Sequence, residues 1–233
     1  MSIIIGIATE VGIVVASDGR ETEGTSPVIP VATIKNDKFD KTFKFDENKI
    51  IGCMAGTTQF QGKIIRDHLS EIIKQYCQTD DSLQNILRNL KAQMKIRIES
   101  IPNTEISFHH RKIDMILIGS SSSKLKGSKI YTFSFKPNLV THEIVVGEEV
   151  FPASKKNELP MWKIYGDPSA QDAVKKYLKT SFQKPREINL DFLRSVAKTA
   201  ITVGINKSGI HPHGKDNSCG GDTFIQSYDQ KYI

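Results

Sequence analysis

Strand-type and helix-type sequence fall into separate blocks along this chain, and that ordering restricts the fold more than any other feature. Residues 2–8 and 12–17 are β-branched and apolar and read as a hairpin through Thr9-Glu10-Val11-Gly12; residues 41–46 and 49–55 read as a second, turning at Asp46-Glu47-Asn48. Helical spacing then takes over. Ile65, Leu69, Ile72, Ile73 and Tyr76 predict a helix over 57–76 with Thr57 or Thr58 as cap, and Leu83, Ile86, Leu87, Leu90, Met94 and Ile98 predict another over 81–100, preceded by Asp80 or Asp81. Strands return at 113–118, 129–134, 139–144 and 161–165, Gly166-Asp167-Pro168-Ser169 turns into a second helix pair, and Thr223–Ser227 forms a last strand. Residues 21–40 read as an exposed polar loop with at most a short strand at 28–33, and residues 148–159 as another loop.

Strands, two helices, strands, two helices, strand: this order predicts an α+β fold in which two antiparallel sheets lie face to face with a helix pair outside each, a four-layer αββα sandwich. It argues against a parallel nucleotide-binding sheet, and no glycine-rich strand-to-helix fingerprint is present. A length of 233 residues is enough for one well-buried domain, and no composition break marks a second. The three cysteines, Cys53, Cys77 and Cys219, have neither disulfide nor metal spacing and fit a reducing compartment. No apolar run reaches bilayer length and no leader pattern opens the chain, so a cytoplasmic protein is expected, with no membrane partner. The net charge is +6, but lysines and arginines are interleaved with acids rather than gathered into an aromatic-bearing patch, so no nucleic-acid partner is expected.

Chemistry is concentrated at the start. Ser2 runs straight into the first strand. A hydroxyl residue left first in the chain by removal of Met1 carries its own base, because a free α-amine titrates at roughly 7.7–8.0. Taken singly, a serine after methionine usually only permits trimming, Asp18 would be a turn carboxylate, and Lys41 a solvated lysine.

Taken together, Ser2-Ile3-Ile4-Ile5-Gly6 through Gly12-Ile13-Val14-Val15-Ala16-Ser17-Asp18-Gly19-Arg20-Glu21-Thr22, followed by Lys41 and Ala55-Gly56, resemble the start of a proteasome β-type subunit or of the simpler bacterial proteasome-like peptidase. The resemblance implies an N-terminal nucleophile hydrolase of the threonine-protease type, with serine at the nucleophile position. Ser2 would attack a peptide carbonyl, its α-amine would shuttle the proton, Lys41 would set the local potential and Asp18 would hold Lys41 charged and in place. Register against Ala55-Gly56 favours Lys41 over Lys38 or Lys44. The backbone N–H of Gly56, read as lying near a helix N-terminus, would stabilise the oxyanion. Arg20 is expected at the substrate, and Met54 is placed by the resemblance at the floor of a specificity pocket. No cofactor and no metal are implied; the partners are a peptide or protein substrate, further copies of the chain in a ring or related homo-oligomer, and an ATP-dependent unfoldase.

Other residues depart from that pattern. Asp167 stands where the resemblance calls for a serine, and Asn206 where it calls for an aspartate. Asp216-Asn217-Ser218-Cys219-Gly220-Gly221 offers Asp216 or Ser218 instead, ahead of a glycine pair leading into the last strand. His211 and His213 have a spacing seen in metal sites but lack acidic or cysteine partners, and read as loop residues. Two further readings stay open: a non-catalytic scaffold subunit whose site has drifted, and an amidase or acyl-transfer enzyme on the same fold.

Overall fold

The strand and helix blocks stack as two antiparallel sheets face to face, each covered on its outer side by a helix pair. In this computed structural model the described residues are 2–22, 34–46, 50–77, 82–119, 128–154, 158–183, 188–208 and 219–229. In chain order the strands and helices are β1 (Ile3–Ala8), β2 (Gly12–Asp18), β3 (Glu21–Thr22), β4 (Ile34–Asn36), β5 (Thr42–Phe45), β6 (Ile50–Gly56), β7 (Gln59–Phe60), β8 (Lys63–Ile64), α1 (Ile65–Tyr76), α2 (Leu83–Glu99), β9 (Ile113–Gly119), β10 (Lys129–Asn138), β11 (Glu143–Pro152), β12 (Met161–Gly166), α3 (Pro168–Gln183), α4 (Leu190–Lys207) and β13 (Thr223–Asp229). One sheet runs β12-β1-β2-β13 and the other β11-β10-β9-β6-β5. The predicted four-layer αββα sandwich is the observed fold.

Its centre explains why the strand sequences are apolar without alternation. Every residue of β1 is buried, because Ile3, Ile5 and Ile7 pack under α3 and α4 while Ile4 and Ala8 face the opposite sheet. In the second sheet, Met54, Ile113, Met115 and Leu117 point to α1 and α2, and Cys53, Ala55, Ile116 and Ile118 point inward. Gly6 lies at the closest approach of the sheets: a Cβ there would stand 2.6 Å from Ile116 Cγ2. Cys53 sits in this dry layer, where burial pushes its thiol pKa far up and leaves it inert.

Several expectations need correction. The helix predicted from Thr57 starts only at Ile65, because Gln61 and Gly62 both take positive φ, 51° and 70°, and fold 59–64 into a tight β7–β8 hairpin. Of the strand predicted at 139–144, residues 139–142 form a turn, in which Asn138 Oδ1 accepts from the N–H groups of Val140 and Thr141 at 2.9 and 3.3 Å; residues 143–144 open β11, which runs on to 152 into the stretch read as loop. Glu148 and Glu149 hid that strand; an edge strand facing water accommodates charge that a central one does not. The proposed strand at 28–33 lies outside the described residues, whereas β3 and β4 form a two-stranded ribbon within the stretch read as loop. Among the described residues no helix is long and apolar enough to cross a membrane.

Candidate active site

Pairing register brings one end of each sheet to the same end of the sandwich. Ile3 lies opposite Gly166, Asp18 opposite Thr223, Thr42 opposite Cys53 and Gly56 opposite Ile113. The start of β1, the ends of β2, β6 and β12, and the chain just before β5 therefore converge, and most of the residues singled out in the sequence sit there.

Asp18 is the hub. It is fully buried, and its Oδ1 accepts from Lys41 Nζ at 2.9 Å and from the backbone N–H of Ile3 at 3.0 Å, while Oδ2 accepts from the N–H of Gly220 at 3.1 Å. Lys41 is likewise fully buried and also donates to the carbonyl of Arg20 at 2.5 Å. Two buried charges survive only when paired and hydrogen-bonded, and these are. A single carboxylate oxygen thus links the lysine to the peptide that joins Ser2 to Ile3. Ser2 is 7% exposed, and among the described residues its hydroxyl is in no hydrogen bond with Lys41.

Ser2 is fixed from the other side by β12. Its carbonyl accepts from the N–H of Asp167 at 3.0 Å, and a Cβ on Gly166, whose φ is +130°, would fall 1.8 Å from that oxygen. Only glycine fits. Asp167, which raised doubt in the sequence, is a cap: its Oδ1 takes the N–H of Ala170 at 3.0 Å in the first turn of α3.

Gly56 ends β6 with φ +98° and is exposed. The Met54 N–H donates to the Lys41 carbonyl at 3.1 Å and the Thr57 N–H to the Lys112 carbonyl at 2.7 Å, on opposite edges. Strand alternation therefore turns the Gly56 N–H to the Lys41 side, beyond the start of β5. The β7–β8 hairpin stands between Gly56 and α1 in the chain, yet the first N–H of α1, that of Ile65, donates to the Thr58 carbonyl at 3.0 Å, so the helix N-terminus lies beside the segment that follows Gly56.

Arg20 and Met54 are placed differently from the expectation. The Arg20 guanidinium clamps Asp37, Nε to Oδ1 at 2.7 Å and Nη2 to Oδ2 at 3.0 Å, which holds the Asp37 carboxyl below its usual range. Asp37 also accepts from the N–H of Asp222 through its carbonyl at 2.8 Å, so the clamp ties the segment before Lys41 to the lead-in of β13. Met54 is fully buried in the outer core beneath α1. Asn206 is exposed on α4, and Asp216, Ser218, His211 and His213 lie outside the described residues.

Sequence reasoning missed the Gly220 N–H as a ligand of Asp18 and Asp37 as the clamp's acceptor. The Gly220-Gly221 pair was the available signal: a Cβ on Gly220 would lie 2.4 Å from Arg20 Cζ, and one on Gly221 2.0 Å from the Asp37 carbonyl oxygen.

No protein-family model matches this sequence, and no curated protein matches it either. Among solved structures it is similar to Anbu (ancestral beta-subunit) from Yersinia bercovieri, with a TM-score of 0.55 at 12% identity over 97% of this chain and 82% of that one. It is also similar to an Anbu (Gly-1) mutant from Hyphomicrobium sp. strain MC1, with a TM-score of 0.56 at 12% identity, covering 98% and 82%. The resemblance to proteasome β-type subunits and bacterial proteasome-like peptidases therefore does not stand as a family assignment. The structural likeness is to Anbu, a proteasome-like fold of the N-terminal nucleophile hydrolase type, and at 12% identity it extends to fold alone. A run of β-branched residues is what an inner strand of such a sandwich needs, which is how a short stretch came to resemble a family that the whole sequence does not match.

Proposed function

We propose that the chain is an N-terminal nucleophile hydrolase that cleaves peptide bonds with Ser2 after loss of Met1. The observation that carries this reading is the fully buried Lys41–Asp18 pair, bonded through one oxygen to the amide that follows Ser2. A solvent-shielded ion pair is costly to build and gives little net stability, so its position beside a hydroxyl residue at a strand start calls for another reason.

In this mechanism the α-amine of Ser2 takes the hydroxyl proton while Oγ bonds to the substrate carbonyl carbon. The Gly56 N–H, at the edge of β6 nearest Lys41, donates to the developing oxyanion. Collapse breaks the C–N bond, the α-ammonium protonates the departing amine, and an ester on Ser2 remains. Water, deprotonated by the same amine, then releases the acid. Lys41 lowers the cost of the oxygen's negative charge, and Asp18 positions Lys41. Arg20 acts as a brace through Asp37 rather than as a substrate ligand.

The structural neighbours are described as subunits, and we place this chain in an assembly of its own copies, which light scattering would report as a mass several times that of one chain. Intact mass and labelling test the chemistry. The purified protein should begin at Ser2, and a peptide electrophile that needs both a hydroxyl and a free α-amine should form an adduct on that residue. Retained Met1, or no adduct on Ser2 with any peptide electrophile, rejects the mechanism.

A further inference from the structure

Next to the Lys41–Asp18 pair lies a carboxylate that the mechanism does not use. Glu21 is 6% exposed, and among the described residues the only hydrogen bond of its carboxylate is from the Thr58 hydroxyl to Oε1, at 2.9 Å. The nearby cations are matched elsewhere: Lys41 is paired with Asp18, and Arg20 with Asp37. No lysine, arginine or histidine among the described residues pairs with Glu21.

Its position ties it to the site. The carbonyl of Arg20, one residue before it, accepts from Lys41 Nζ. Thr58, its partner, lies two residues after Gly56, the proposed oxyanion donor. Three residues from Asp18, Glu21 is held within about 10 Å of it by chain length alone. The Glu21–Thr58 bond therefore bridges the chain segment that carries Asp18 to the one that carries Gly56. One neutral hydroxyl does not compensate a carboxylate that has lost most of its water.

We propose that Glu21 determines specificity by receiving a cationic side chain of the substrate, so that the enzyme favours lysine or arginine next to the bond it cleaves. A bound ammonium or guanidinium supplies the missing counter-charge, whereas an acidic side chain brings like charges together at short range. This inference rests on the peptidase reading above.

The test uses the full-length protein and peptide epoxyketones carrying Lys, Leu or Glu beside the warhead, with adduct formation on Ser2 followed by mass spectrometry. The Lys probe should label at least about tenfold faster than the Leu probe, and the Glu probe slowest. In Glu21→Gln the Lys-to-Leu ratio should fall close to one. Thr58→Ala removes the same hydrogen bond but keeps the charge, and should keep the preference; a merely structural Glu21–Thr58 bond would make the two variants behave alike. Should Glu21→Gln fail to fold, the ordering of the three probes on the wild-type protein decides alone. Labelling of Ser2 without a preference for the Lys probe overturns this inference and leaves the peptidase reading standing. Absence of labelling by every probe overturns both.

Discussion

Lys41 Nζ and Asp18 Oδ1 lie 2.9 Å apart with both side chains completely shielded from solvent. Removing one partner of such a pair strands the other. Lys41→Met should cost about 3–5 kcal/mol in chemical denaturation, and Asp18→Asn a similar amount, because each leaves an uncompensated buried charge. The double variant should be more stable than the two losses added together, and all three should fail to form a Ser2 adduct. A single variant with unchanged stability would contradict the burial of this pair.

Gly166 provides a sharper steric test. With φ at +130° and a hypothetical Cβ 1.8 Å from the Ser2 carbonyl, Gly166→Ala should displace the start of β1, cost at least about 1–3 kcal/mol and abolish labelling. Gly62→Ala makes the control. It also has positive φ, 70°, but nothing within 4 Å of the added carbon, so it should cost about 1–2 kcal/mol and leave labelling rates intact.

What was legible in the sequence follows from where the stabilising partners lie. β1, β2 and β6 could be read because both of their faces are buried, which leaves uninterrupted apolar runs. Asp18 and Lys41 stand out only through the resemblance and the register against Ala55-Gly56; taken singly they read as a turn carboxylate and a solvated lysine. Their mutual bond spans 23 residues, and the Asp18–Gly220 bond spans 202, a separation that local pattern cannot reveal. The helix starts eight residues later than the spacing predicts because Phe60, Ile64 and Ile65 continue an apolar spacing, while the break lies in the positive φ of Gln61 and Gly62, of which only Gly62 carries a turn signal in the sequence. Asp167 looked like a change in the site's charge, whereas its first use is to cap α3, a local role that Pro168 and Ser169 already signalled.

Acid should weaken the helix-side layer through His68. Arg97 Nη1 can only donate, so the 3.0 Å contact makes His68 Nδ1 an acceptor, and Nε2–H then donates to the Phe60 carbonyl at 3.1 Å. Burial pushes the His68 pKa below 6.5, and the neighbouring Arg97 and Lys63 cations act in the same direction while the Phe60 carbonyl and Glu71 oppose them. The folded state therefore prefers neutral imidazole. Its stabilisation is full above pH 6.5 and is lost as pH falls from there through the lower folded value. Denaturant midpoints should drop between pH 7.5 and 5.5, and the drop should shrink in His68→Gln. Glu71, held at about 2 by its bonds to Lys63 and Arg97, titrates below this range. His110, also lowered, by burial and then by the neighbouring His109, contributes with the same sign in both proteins. Equal slopes in the two proteins would exclude His68 as the source.

The nucleophile itself separates chemistry from packing. Ser2 is nearly buried, but among the described residues its hydroxyl holds no other element in place; its carbonyl does that, through Asp167. Ser2→Ala should therefore unfold within about 0.5 kcal/mol of the wild type while losing the adduct entirely. Ser2→Thr keeps the oxygen and adds a branch at Cβ, which narrows the χ1 choices that serine leaves open. If the wild-type hydroxyl spends part of its time turned away from an attacking geometry, the threonine variant labels faster at equal stability. Slower labelling by Ser2→Thr, with the fold unchanged, would show instead that the space around Cβ is shaped for serine. In that case the absence of the methyl group is itself a requirement of the site.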